Sequence, residues 1–335
     1  LGDVYKRQAE YLGTVEAERA LRMTLIAEVA RAYYELIALD NELSIVRQTL
    51  ETRKEGVHQA RLRFEGGLTS ETSYQQAQVE LATTATLIPE LERRIAVKEH
   101  EIALLAGEYP DRIARQAMDP AATMPEHLPV GLPSELLRRR PDVRRAEQAL
   151  EAAYAAVGVA YTDRFPRIQL SAAIGVENDL LSSLFSSPYS FVSGAIAGPV
   201  FGFGKKRARY QAQQAAYRQE CRRYERTVLT VFKEVSDAIV TYDSSLRASE
   251  LKRNLERAAR SYVELARLQY LNGVINYLDV LDAQRRYFDA QIGLSNALRD
   301  QRLARVQLYK ALGGGWEDAP ASPADSTVPA QSSVK

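Results

Sequence analysis

From Ala9 to Glu65 the apolar positions Leu21, Leu25, Ala32, Leu36, Leu39, Leu43, Val46 and Leu50 fall mostly three and four apart. That repeat lays one apolar stripe along a helix and is the seam of a coiled coil. At about 1.5 Å per residue such a helix is roughly 85 Å long, several times the width of a globular domain. Gly66 and Gly67 stand where a C-terminal cap would end it, and Thr69 or Ser70 followed by Glu71 can start a second helix that runs to Gly107, with Pro89 as an expected kink. Residues 9–107 therefore read as a long helical hairpin.

The pattern returns in residues 205–315. Val228, Val231, Val235, Ala238, Tyr242, Leu251, Leu255, Ala258, Tyr262 and Leu265 mark a second long helix, Asn272 and Gly273 break it, and a partner helix follows from Asn276 to Leu312. A constant shift of 206 positions carries Gly67 to Gly273, Ala60-Arg61-Leu62 to Ala266-Arg267-Leu268, Ala77-Gln78 to Ala283-Gln284 and Gly107 to Gly313. The chain is an internal duplication, and the turns Gly66-Gly67 and Asn272-Gly273 are expected at equivalent ends of the two hairpins.

Between the hairpins the period changes. Residues 108–140 read as an irregular, Pro-containing linker, and Pro141 opens a shorter helix through Asp163, at the position where its missing N–H costs nothing. In residues 164–204, Ile168, Leu170, Ala172, Ile174 and Val176 alternate with Gln169, Ser171, Ala173 and Gly175, and Val192, Ile196 and Val200 keep period two in a second stretch. This is a β-hairpin, with residues 168–178 and 190–201 expected to pair antiparallel. Leu180 to Gly204 carries no charge, yet its prolines, glycines and serines disfavour a membrane helix. Strands sit in lipid only within a closed barrel, which two strands cannot make, so either the hairpin joins a soluble β-layer or several chains pool their strands about a symmetry axis. The tail, 316–335, is rich in Pro, Ser and Ala and reads as disordered.

Composition narrows the chemistry. Forty-four Lys and Arg against forty-three Asp and Glu, in 335 residues, give no bulk field to draw in nucleic acid. One cysteine, Cys221, and three histidines leave no disulfide and little for a metal or acid–base centre. Glu55 and His58 form a single Glu-x-x-His without the second copy that a di-iron bundle needs, so a solvated helix face is the reading preferred. Lys205, Lys206, Arg207 and Arg209 directly follow the second strand, where they either meet lipid phosphates or stay hydrated. No catalytic set, cofactor site or metal site is expected, and the chain is not read as an enzyme. The start, Leu1 to Gln8, does not continue the helical pattern and reads as a truncation or foreign residues.

Four stretches carry a resemblance: Gly131-Leu-Pro-Ser-Glu-Leu-Leu-Arg-Arg-Arg-Pro-Asp-Val-Arg-Arg145, Phe165-Pro-Arg-Ile-Gln-Leu170, Gly198-Pro-Val-Phe-Gly-Phe-Gly204 and Asn276-Tyr-Leu-Asp-Val-Leu-Asp-Ala-Gln-Arg285. In order and spacing the chain resembles the TolC-like outer-membrane efflux family, in its lipoprotein branch, with the first repeat lacking its β-hairpin and leading helix and the N-terminal lipidated cysteine missing. The resemblance implies a mainly α fold with a small β-hairpin. Its long helical hairpins would build an α-barrel, and its strands would enter a transmembrane β-barrel shared by a homotrimer. It implies a bacterial outer-membrane location extending into the periplasm, contact with outer-membrane lipid, and an exit duct for drugs or other small molecules that docks a periplasmic adaptor and an inner-membrane pump. Ile168, Leu170, Ile174, Val176, Val192, Ile196 and Val200 would then lie in the membrane hairpin, the first four facing lipid and Ser171 the lumen. Leu278, Asp282 and Arg285, spaced four and three on one helix face, would form a pore gate, Arg140-Pro141-Asp142 would organise a turn, and an ordinary solvated flank is the other reading of the gate residues. A soluble coiled-coil scaffold or periplasmic adaptor is the alternative that the helices alone support.

Overall fold

The computed structural model describes residues 2–115, 133–176, 188–198 and 204–314. In chain order the elements are α1 (Gly2–Glu65), α2 (Glu71–Ala106), α3 (Pro133–Arg139), α4 (Pro141–Thr162), β1 (Arg167–Val176), β2 (Pro188–Ala197), α5 (Lys205–Leu271) and α6 (Tyr277–Ala311). The fold is mainly helical with one two-stranded antiparallel sheet. The tail and Val200 lie outside the described residues. Two compact units divide the chain, one of Leu1–Glu18 with Pro141–Leu229, the other of Arg19–Arg140 with Thr230–Lys335.

The second unit holds both turns. At the first, the amides of Gly66, Gly67 and Leu68 donate to the carbonyls of Leu62, Phe64 and Arg63 at 3.0, 2.9 and 2.8 Å. At the second, the amides of Asn272, Gly273 and Val274 donate to Leu268, Tyr270 and Gln269 at 3.2, 3.0 and 2.9 Å. Each acceptor lies 206 positions beyond its counterpart, and Gly67 and Gly273 take φ of 71° and 73°, a left-handed conformation that strains any residue with a Cβ. The far ends repeat the scheme, with Gly107 and Gly313 at 75° and 78°. Both turns lie at one end of this unit, because Ala60 and Ala77 share a core with Tyr277, Val280 and Leu281, and the Arg63 guanidinium lies 4.5 Å from the Tyr270 ring centre. α2 runs unbroken through Pro89.

The first hairpin buries a ladder of large side chains, Leu36, Leu39, Leu43 and Val46 of α1 against Leu91, Ile95 and Ile102 of α2. In the second, α5 buries Val231, Val235, Ala238 and Tyr242 as its spacing predicts, but the inward stripe then continues through Ser249, Ala259 and Ala266. Leu251, Leu255, Tyr262 and Leu265, expected on the seam, are exposed in the single chain, as is Leu21 of α1. The expected seam followed the largest residues, whereas the packed face keeps the heptad spacing and uses small ones. The linker also departs from its expected irregularity: Pro133 opens the short helix α3, which buries Leu136.

In the first unit α1 starts at Gly2 rather than Ala9. These residues pack on α4, which a repeat along one helix does not reveal: Glu16 pairs with Arg144 at 2.7 Å, and a Cβ on Gly2 would sit 3.2 Å from Val159. Tyr154 and Tyr161 of α4 meet Tyr217 and Tyr210 of α5, with ring centres 5.7 and 5.8 Å apart. In the sheet Ile168 lies opposite Ile196, Ala172 opposite Val192 and Val176 opposite Pro188. At Gly175 the Tyr189 ring lies close over the backbone, and a Cβ there would come within 3.1 Å of it.

Candidate functional site

Two arrangements stand out, one in each unit. The first lies beside the glycine turns. Arg53 of α1, 8% exposed, donates to the Glu80 carbonyl at 2.7 Å and to the Thr84 hydroxyl, and its guanidinium lies 3.0 Å from the Glu80 carboxylate. Thr84 donates to the Glu80 carbonyl in turn, at 2.9 Å. From α6, Arg285 donates its Nε to the other Glu80 oxygen at 2.8 Å. One carboxylate thus ties three helices, with Phe288 5.8 Å from the Arg53 guanidinium and Asp289 acting on the same charge. Burial lowers the Arg53 pKa from its usual value, while the hydrogen bond to Glu80 raises that of Arg285. Tyr277, buried between α6 and α1, has its phenol pKa pushed up to about 12, first by burial. Gly56 makes room for it, since a Cβ there would lie 3.0 Å from the Tyr277 hydroxyl.

The residues expected at a gate separate within the chain. Arg285 belongs to the Glu80 cluster, Asp282 accepts from Arg286 one turn on at 2.7 Å, and Leu278 is exposed. The separation has a simple cause: Arg286, four positions along the same helix, reaches Asp282, whereas Arg285 points across to α2. The backbone amide of Asn276 donates to the Asp279 carboxylate at 3.1 Å and fixes the start of α6.

The second arrangement is the strand pair. Its register gathers Ile168, Leu170, Ala172, Ile174 and Val176 on one face with Val192 and Ile196, and Gln169, Ser171, Ala173 and Gly175 on the other with Tyr189, Phe191 and Ser193. Ile168, Leu170, Ile174, Val192 and Ile196 are strongly exposed, Ile174 at 90%. An apolar face of this size on an isolated strand pair is a surface built for something other than water.

The sequence reading missed Arg53, Glu80 and the role of Arg140. Arg140 is buried, donates to the Ala311 carbonyl at 3.0 Å and pairs with Glu234 at 2.7 Å, so it clamps the end of α6 to α5 rather than serving only a turn. The signal for the pair was present: Ala77, Glu80 and Thr84 are spaced three and four, and Val46, Arg53 and Ala60 seven apart, which sets charges on buried stripes. Among the described residues no group of three His, Cys, Asp or Glu could hold a metal ion, and no helix is long and apolar enough to cross a membrane.

The chain belongs to the outer membrane efflux protein family, which matches residues 2–108 and 132–314. It is 32% identical over 316 residues to the outer membrane protein OprJ of Pseudomonas aeruginosa, covering 92% of this chain and 65% of OprJ. It is 36% identical over 314 residues to the solvent efflux pump outer membrane protein SrpC of Pseudomonas putida, covering 92% and 66%. The chain thus spans about two thirds of the length of these relatives. Among solved structures it is similar to the outer-membrane channel OprN, with a TM-score of 0.85 and 29% identity over 94% of this chain and 72% of OprN. The open state of the Neisseria gonorrhoeae MtrE outer membrane channel gives 0.83 and 27% over the same shares. Membership sets aside the soluble scaffold, and the family's role is transport rather than catalysis.

Proposed function

We propose that this chain is a subunit of the exit duct of a tripartite efflux pump, a homotrimer in the bacterial outer membrane that extends into the periplasm. It would pass drugs or other small molecules outward and dock a periplasmic adaptor and an inner-membrane pump. The observation that carries the reading is the exposed apolar strand face in a chain of the outer membrane efflux protein family. Two strands cannot close a barrel, and a trimer pools strands about an axis, six of them from this hairpin, toward the closed barrel in which backbone groups are paired in lipid. In this reading Ile168, Leu170, Ile174, Val176, Val192 and Ile196 face lipid and Ser171 the lumen.

The reading includes a gate at the turn end of the second unit, where α6 begins. Leu278 supplies an apolar constriction on the axis, and Arg285 and Asp282 supply charged links. The Arg285 bond to Glu80 supports part of this, since it fastens α6 to α2 within one chain. Each such link contributes about 1–3 kcal/mol to the closed state.

The test is fractionation followed by conductance. Heat-modifiable trimers in outer-membrane detergent extracts, with single-channel currents in planar bilayers, are expected. In a complete, inserted channel, Asp282→Ala with Arg285→Ala should raise the conductance without loss of trimer. A soluble chain without currents would overturn the duct, and unchanged conductance in the double variant would move closure elsewhere.

A further inference from the structure

The junction of α4, β1 and α5, within the first unit, gathers positive charge around a single carboxylate among the described residues. Asp163 is flanked by Arg167 at 3.1 Å and Arg209 at 3.3 Å, and Lys206 donates to its backbone carbonyl. Arg164 sets its guanidinium 5.7 Å from the Tyr161 ring centre and 5.6 Å from that of Tyr210. Lys205 and Arg207 are exposed in the first turn of α5, which holds no acidic residue although a helix start favours carboxylates. Among the described residues, one carboxylate, Asp163, thus pairs within a group of six cations. Lys205, Arg207 and Arg164 make no ion pair with a carboxylate among the described residues.

The neighbours of these cations bear on what they would bind. The patch adjoins the end of the sheet where Arg167 lies opposite Ala197, and the next pair, Ile168 and Ile196, belongs to the exposed apolar face. Tyr161 and Phe165, edge to face at 5.5 Å, are both exposed beside it, the side chains that settle at the border of hydrocarbon and water. We infer that this junction binds the phosphate of an anionic glycerophospholipid headgroup, whose acyl chains cover the apolar strand face. The inference rests on the reading that this face meets lipid. A zwitterionic headgroup brings its own cation and leaves these cations uncompensated, and a free phosphate makes no use of the aromatic and apolar border.

The experiment uses the whole chain in dodecyl maltoside micelles doped equally with phosphatidylglycerol or phosphatidylcholine, with retained lipid per chain read by mass spectrometry after gel filtration. Phosphatidylglycerol should be retained several-fold over phosphatidylcholine. Each cation removed from Arg164→Gln, Lys205→Gln and Arg207→Gln should lower the ratio by up to about fivefold, about 1 kcal/mol per cation at an anionic surface. The charge-keeping set Arg164→Lys, Lys205→Arg and Arg207→Lys should hold it. Equal retention of both lipids by the unaltered chain, or displacement by millimolar inorganic phosphate, would overturn the inference. A fluorescent label at I174C, challenged with brominated lipid, separates the two claims: quenching with no lipid preference sinks the headgroup site alone, and no quenching sinks the membrane reading and the site together.

Discussion

The two helical hairpins share a backbone plan and differ in what they bury. Near the turns they match, with Ala60 and Ala266, and Ala77 and Ala283, buried at positions 206 apart. Further along, Arg53, Glu80 and Thr84 of the first hairpin correspond to Ala259, Arg286 and Ala290 of the second, and Leu43 corresponds to Ser249. A duplicated turn keeps its glycine because backbone geometry demands it. The helix faces between turns are free to diverge as long as each buried group is satisfied. The first hairpin is fixed by large side chains and a buried ion pair, while in the second the stretch of α5 from Ser249 to Ala266 packs with small side chains that leave little to interlock.

The sharpest test of that contrast is Glu80→Ala, which strands Arg53 in a buried site and should cost about 3–5 kcal/mol in thermal unfolding. Arg286→Ala, at the matching position of the second hairpin, should leave the melting temperature unchanged, because that residue only makes an exposed pair with Asp282. Next, Leu43→Ala should cost about 2–5 kcal/mol by opening a cavity, against about 1 kcal/mol or less for Ser249→Ala. Equal losses would break the comparison.

A pH titration gives the third. The unfolded Tyr277 phenol ionises near 10.0 and the folded one near 12, so the folded chain keeps a proton the unfolded chain has lost between those values. Its contribution, on the order of 3 kcal/mol, is whole below pH 10 and lost as pH rises toward 12. Tyr277→Phe should flatten that part of the stability curve. Last, Gly67→Ala and Gly273→Ala should each cost about 1–2 kcal/mol and agree closely, because the two turns share one backbone conformation.

Much of this fold was legible in the sequence, for reasons that particular residues make plain. Gly67 and Gly273 announced themselves because a left-handed residue is hard to replace and its neighbours repeat with it. The strand pair was legible from period two alone. The packed face of lower α5 was not: Leu251, Leu255 and Leu265 outweigh Ser249, Ala259 and Ala266 in any hydrophobic count, yet the smaller residues are the buried ones. The gate residues shared a helix face on paper, but side-chain reach decided their partners, and Glu80, remote in sequence, claimed Arg285. Spacing along one helix cannot report which neighbour lies across from it.

The Arg140 clamp sets an order of events in time. Its acceptor, the carbonyl of Ala311, lies 171 residues further on. A chain emerging from N to C terminus reaches that acceptor only when most of its length has been made. The leucine core of the first hairpin closes over much shorter separations, between residues 32 and 102, and can form long before. On loop-closure grounds the leucine core of the first hairpin is expected to form before the Arg140 closure. In refolding from denaturant, amides of the first hairpin's leucine core should gain protection from exchange before those at the end of α6.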